Sequence, residues 1–316
     1  MSHGTTYIRN YESKELRRHE VESEGGREPS VASISLLGDI AGEVFAAEIE
    51  AARRTGNLGY MARVLSQVTL PHSRPTGTEY VRRNGNFSLS ILAPSDPGLP
   101  YGGVPRIVLA WLTTEAVRTR ERRVVLGKNL SKFMGQIGLV PTGGRWGTIP
   151  RLQNQLKRLF TSRILCTYDG EDAFRSASLD VATETQLWWD PKDPHQLGLF
   201  ESSVTLGEAF FKEIIERPIP VDVATLRALR RSPLALDLYV WMTYRNSYLD
   251  RPVNIPWQSL HGQFGADYKL VRQFKPKVAS ALAKVHEVYP EARFDVGESG
   301  LQLIPSKTHV GKLPSR

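Results

Sequence analysis

The chain is poor in the residues that most enzyme chemistry needs. It has one cysteine, Cys166, among 316 residues. A lone cysteine can form neither an internal disulfide nor a metal site made of cysteines. Lying in the strand-like run RILCTY, it reads as a small buried apolar side chain. The seven histidines, at positions 3, 19, 72, 195, 261, 286 and 309, stand apart, and no pair has the spacing of a helix or strand ligand motif. The clustered His pair of strand-nicking relaxases is missing as well. No run approaches the ~20 apolar residues of a membrane span. The N-terminal stretch has no apolar core of the signal-peptide kind. The expectation is a cytoplasmic protein with no membrane partner.

Nucleotide-hydrolysis signatures are also lacking. A P-loop needs a Lys to reach the outer phosphates and a following Ser or Thr to hold Mg²⁺. GGRWGTIP (143–150) has neither at those places, and LGKNLS (126–131) puts Asn129 where the hydroxyl should be. The acids Asp169, Glu171 and Asp172 in DGED, and Asp190 and Asp193 in DPKDP, are residues that turns favour in any case. The chain therefore reads as a non-enzyme with no cofactor and no metal.

What it does have is positive charge. The net charge is +8, and residues 101–168 carry 12 Lys and Arg against two carboxylates, Glu115 and Glu121, a local +10. That excess exceeds the charge of the whole chain and points to a polyanionic partner.

The first 38 residues are polar and charged and read as a disordered arm. Residues 40–56 have helical apolar spacing and end on Gly56. A hairpin is expected over 80–93, turning at Asn84-Gly85, with Phe87, Leu89 and Ile91 alternating with serines. A Pro/Gly-punctuated linker, 96–105, follows. Then come a helix over 104–120 with Pro105 near its start, an extended RRVVL, and a short helix over 129–139 capped by Asn129. A helix over 148–160, the strand RILCTY and a second strand within 175–189 complete the order helix, helix, helix, hairpin.

The order returns. A helix over 232–249 has Ser232 as cap and Pro233 at its first position, followed by extended RPVNIP, a short helix over 257–265, a long helix over 268–289 and a hairpin ending at Pro305. Trp111 matches Trp241, Leu130 matches Leu260, and GQIG (135–138) matches GQFG (262–265). An internal repeat of this length argues for duplication of one unit, and the two tryptophans read as core anchors. The expected fold class is α+β: tandem winged helix-turn-helix domains behind a disordered arm. The arm is 1–38, the helix, hairpin and first winged domain 39–203, a bridging segment 204–231, and the second winged domain with its tail 232–316.

In the helix over 148–160, Arg151, Asn154 (or Gln155) and Arg158 fall on one face, while Leu152, Leu156, Leu159 and Phe160 fall on the other. Guanidiniums and amides aimed one way suit phosphates and base edges. Arg145, Gly147 and Thr148 lie where the helix begins and could meet a phosphate. Trp146 reads equally as a sugar-phosphate contact or as core. The second copy offers Lys269, Arg272, Gln273, Lys275 and Lys277 at the front of its long helix, with Pro276 bringing a kink or a later start. Two such helices would enter successive major grooves, about 34 Å apart.

The stretches LPYGGVPRIVLAWLTTEAVRTR, LSKFMGQIGLVPTGGRWGTIPRLQNQLKRLF, LALDLYVWMTYR, IPWQSLHGQFGADY and VYPEARFDV…GLQLIPSKTHV resemble the plasmid-encoded RepA family of replication initiators, over roughly residues 59–310. The resemblance implies a bacterial, plasmid-encoded protein that binds origin repeats in double-stranded DNA and helps open the duplex. It also implies recruitment of the host replication initiator and replicative helicase, and autorepression as a homodimer. Related initiators use tandem winged helices. The site residues rest on the helix argument, since the resemblance carries no residue map. Two other readings share these residues: a winged-helix transcription regulator without initiator activity, and a DNA-processing enzyme using Asp169, Asp172 and Asp180.

Overall fold

The computed structural model describes residues 56–310 apart from 68, 172, 191, 217, 266 and 267. The expected arm, and the helix expected over 40–56 up to its Gly stop, lie outside the described residues.

Strand β1 (Leu58–Met61) and the single turn α1 (Val64–Gln67) lead into the hairpin β2 (Glu79–Asn84) and β3 (Phe87–Leu92). Gly85, at φ +57°, opens the two-residue loop Gly85-Asn86, one position later than the sequence suggests. The first half continues with α2 (Gly103–Thr119), β4 (Arg123–Gly127), α3 (Leu130–Gln136), α4 (Thr148–Phe160), β5 (Arg163–Asp169), β6 (Phe174–Asp180) and β7 (Ala182–Gln186). β8 (Ser202–Leu206), α5 (Glu208–Glu216), β9 (Ile219–Asp222) and α6 (Val223–Leu229) make the bridge. The second half is α7 (Pro233–Asn246), β10 (Val253–Pro256), α8 (Trp257–Phe264), α9 (Val271–Val288), β11 (Arg293–Val296) and β12 (Gly300–Ile304).

In the second half the strands pair antiparallel in the order β10-β12-β11, so the last strand returns beside the first. The first half has the same order of helices but a different sheet. Hairpin β5–β6 does not return to β4. It joins β2–β3 in a four-stranded sheet, order β2-β3-β5-β6. The reason lies in burial. Leu89 pairs with Cys166 and Ile91 with Ile164, and all four are buried. An isolated hairpin is barely stable in water, and β5 satisfies the free edge of β3 while extending its apolar face with Ile164 and Cys166. The chain then crosses at fully buried Val181 from β6 into β7, and the sheet β4-β8-β7 takes its middle strand from the bridge. Strand β8 runs across position 203/204, where the first domain was expected to meet the bridge.

Several local expectations match. Asn129 caps α3 through its side-chain oxygen, which accepts from Lys132 N–H at 2.7 Å. Ser232 occupies the cap position of α7 with Pro233 next, but its hydroxyl makes no capping bond. Trp111 meets Phe133 edge-to-face at 5.1 Å, and Trp241 meets Phe264 the same way at 5.3 Å. Each half thus packs its first-helix tryptophan on a phenylalanine of its second helix, although the two phenylalanines stand at different positions of the repeat, Phe264 matching Ile137. Trp241 is buried while Trp111 is only partly covered.

The halves interlock through a buried ion pair. Arg106 of α2 grips Asp237 of α7 with two bonds of 2.7 Å, and its remaining N–H groups reach the carbonyls of Leu70, Pro71 and Gly102. All five guanidinium donors are thereby used. His72 adds a 2.9 Å contact to the same carboxylate. Burial pushes the Asp237 carboxyl up, but the Arg106 charge and the bonds from His72 and Arg106 outweigh it, so its pKa lies below the usual carboxylate range. Gln263 of α8 donates to Ser66 O, and Arg82 of β2 donates to His261 O, so the N-terminal elements also bind the second half.

Candidate nucleic-acid interface

α4 forms because Ile149, Leu152, Leu156, Leu159 and Phe160 recur at helical spacing and are all buried, as the sequence indicates. Its start is fastened to the loop before it by reciprocal bonds. Thr142 N–H donates to Thr148 Oγ1 and Thr148 N–H donates to Thr142 Oγ1, both at 2.9 Å. The Thr148 hydroxyl then donates to Val140 O. Gly147 is buried against this turn, and a Cβ there would lie 2.2 Å from Thr142 O. Thr148 and Gly147 thus build the loop, and the hydroxyl of Thr148 is spent within the protein.

The polar face expected on α4 is present only in part. Arg151 and Asn154 are exposed, but Gln155 and Arg158 are buried. Gln155 Oε1 accepts from Tyr101 N–H at 2.9 Å. Arg158 donates to Leu99 O at 3.0 Å and to Asn154 Oδ1 at 2.6 Å, and its guanidinium lies 5.4 Å from the Tyr101 ring. Burial lowers the Arg158 pKa from its ordinary value. The segment 98–101 lies over the last turns of α4 and takes these two side chains into the interior. The expected DNA contacts at Gln155 and Arg158 are corrected to structural bonds for this reason.

What the helix does expose is a line of Arg151, Asn154 and Lys157, to which the loop adds Arg145 and Trp146. Trp146 is 81% exposed, so it is not core. Lys132, on the exposed side of α3, belongs to the same basic unit. Amide and arginine spacing does not single out Lys157 and Lys132, whose signal in the sequence is the local charge excess. From Arg122 to Tyr168 the chain contains no carboxylate at all. The surface of the α3–α4 unit therefore has no acid of its own to neutralise it.

The second half presents Lys269, Arg272, Gln273 and Lys277, all exposed near the start of α9. Lys275 is partly buried, with its ammonium 2.9 Å from Glu298 O and 5.4 Å from the Trp257 ring. It fastens the helix to the β11–β12 turn. α9 starts at Val271 with Pro276 inside it, so the proline does not delay the helix. Lys284 continues the exposed face. The β11–β12 hairpin carries exposed Asp295, on β11, and Glu298, in its turn, which would repel phosphates.

Of the thirteen residues expected to contact DNA, the structure leaves Arg145, Trp146, Arg151 and Asn154 in one exposed group and Lys269, Arg272, Gln273 and Lys277 in another. Gly147, Thr148, Gln155, Arg158 and Lys275 serve the fold. Among the described residues no cluster of three or more His, Cys, Asp or Glu could hold a metal ion. Asp180 is ion-paired with Arg163 at 2.7 Å. No described helix is long and apolar enough to cross a membrane.

A crystal structure of RctB domains 2 and 3 shares the fold, with a TM-score of 0.52 at 11% identity, covering 78% of this chain and 97% of that one. Another, of RctB domains 2–3, gives a TM-score of 0.48 at 13% identity, with 70% and 82% covered. No curated protein sequence matches the chain. The family model described as "Plasmid encoded RepA protein" matches residues 99–258, which is 160 of the 316 residues, from the linker that buries Arg158 to the start of α8. The chain belongs to the family of plasmid-encoded RepA proteins.

Proposed function

We propose that this protein initiates plasmid replication by binding repeated sites in origin duplex DNA. The observation that carries the reading is the α3–α4 unit: exposed Arg145, Arg151 and Lys157 on a stretch of 47 residues without one carboxylate. Phosphate contacts by such residues supply most of the affinity for DNA and fix the protein's register on it. Each half is a winged helix-turn-helix. The second half's helix-strand-helix-helix-strand-strand order, with its last strand returning beside its first, supports this. α4 and α9 are the reading helices, and on a shared face of the duplex they enter successive major grooves about 34 Å apart. Binding opens the neighbouring duplex, and the bound protein recruits the host initiator and replicative helicase. A homodimeric form represses its own gene.

Footprinting on the origin of the protein's own plasmid, with a permanganate probe for melted thymines, tests the reading. Regularly spaced protected repeats with melting beside them are expected. A single protected operator without melting would make the protein a regulator instead. Metal-dependent nicking abolished by Asp169→Ala would make it an enzyme.

A further inference from the structure

We propose that Trp146, backed by Arg145, is a stacking platform for an unpaired base of the DNA that the protein opens. The proposal rests on the DNA-binding reading above and goes beyond it, because reading a closed duplex does not call for a stacking surface.

Trp146 is 81% exposed, and the next most exposed tryptophan, Trp188, is 52% exposed. Leaving so large a ring in water forgoes one of the largest apolar burials available to a side chain. The exposure does not come from a slack loop. The reciprocal threonine bonds, the bond from Gly147 N–H to Gly144 O at 3.0 Å and that from Ile149 N–H to Thr142 O at 3.2 Å close the turn on itself. Gly147, directly after the tryptophan, has no room for a Cβ. A tight turn thus holds the ring outward.

The charge around the ring says what covers it. The Arg145 guanidinium carbon lies 5.1 Å from the ring centroid, and Arg151 stands exposed one turn into the helix that follows. An apolar protein surface would have to bury these charges unpaired. An unpaired nucleotide meets both demands at once: its base offers a flat π-face to the indole, and its phosphate takes the guanidinium. Bases in an intact duplex are stacked on each other and cannot offer that face. The platform therefore acts where the duplex is already open, or where one base has left the stack.

The test uses the full chain and two labelled probes, an origin duplex and a single-stranded oligothymidine, read by fluorescence anisotropy. Trp146→Ala is expected to weaken oligothymidine binding about tenfold, the scale of one lost base–aromatic stack. Trp146→Phe should restore most of it. Duplex affinity should fall by less than about threefold with either variant, and permanganate reactivity beside the origin repeats should drop with Trp146→Ala alone. An unchanged thermal midpoint is expected for both variants. Unchanged oligothymidine binding and unchanged melting in Trp146→Ala would overturn the proposal while leaving duplex recognition standing. Equal losses on both probes would also overturn it, by making Trp146 a backbone contact. If the wild-type protein binds neither probe, the DNA-binding reading fails first, and the platform with it.

Discussion

The two halves of the molecule start from the same plan and diverge at its edges. Both pack a tryptophan of the first helix against a phenylalanine of the second. Both bury the matching leucines, Leu130 and Leu260. Beyond that shared core the halves differ in their sheets and in their loops. Eleven residues separate α3 from α4, against six between α8 and α9. α4 has 13 residues and α9 has 18. The longer loop carries the exposed Trp146, while the longer helix carries a polar face that runs on to Lys284. The β11–β12 hairpin beside α9 carries the acids Asp295 and Glu298, whereas the α3–α4 unit has no acid. The two halves thus share helix-to-helix contacts of the same kind and differ in the segments that face solvent.

The largest expected effect concerns what joins the halves. Asp237→Ala would leave the Arg106 guanidinium buried without its carboxylate, at a cost of about 3–5 kcal/mol. Urea denaturation should show a lower midpoint. The same pair sets an acid dependence. Because the folded pKa of Asp237 is depressed, its contribution is full above the unfolded value of about 3.9. It is lost as pH falls through the folded value. Wild-type stability should therefore decline below about pH 4, and the Asp237→Ala variant should lack that component.

Helix entry separates the halves more sharply. Gly147 precedes α4 with no space for a methyl group, while Leu270 precedes α9 and is 45% exposed. Gly147→Ala should cost roughly 1–3 kcal/mol through overpacking. Leu270→Ala should stay within about 0.5 kcal/mol. Comparable losses for the two would break the distinction.

Within α4, Arg158→Ala and Arg151→Ala should part ways. Removing Arg158 strips Leu99 O of a buried partner and should cost about 1–3 kcal/mol of stability. Removing Arg151 should leave the thermal midpoint alone and weaken duplex binding. It should also shallow the salt dependence by about one unit of slope. Titrating both variants against salt, beside a melting curve for each, checks this. Arg272→Ala and Lys277→Ala ask the same of the second half. If both halves contact one duplex, each substitution should remove about one unit of slope, additive with Arg151→Ala. A slope that responds only to the second half would assign the first half to dimerisation. Among the ion pairs, the smaller effect is expected from Arg163→Ala, which breaks an exposed pair with Asp180 and should shift stability by no more than about 1 kcal/mol.

Much of this arrangement could be read from the order of residues. Apolar spacing marks α4 at 148–160 and assigns Leu152, Leu156 and Leu159 to the interior. The repeat of Trp, Leu and GQxG reveals two related halves. Asn129, Pro105 and Pro233 mark helix starts, and these are local signals with local causes. A helix's periodicity fixes the azimuth of each side chain but not what lies above it. Arg151 and Arg158 share a face by that rule, yet only Arg158 meets the backbone at Leu99. The decision came from a linker some sixty residues earlier in the chain. Strand pairing follows the same logic. Alternation of Phe87, Leu89 and Ile91 predicts an apolar face but names no partner. Only the folded chain could choose β5 over β4, because β3 had a free edge to pair and β8 was there to fill the place beside β4.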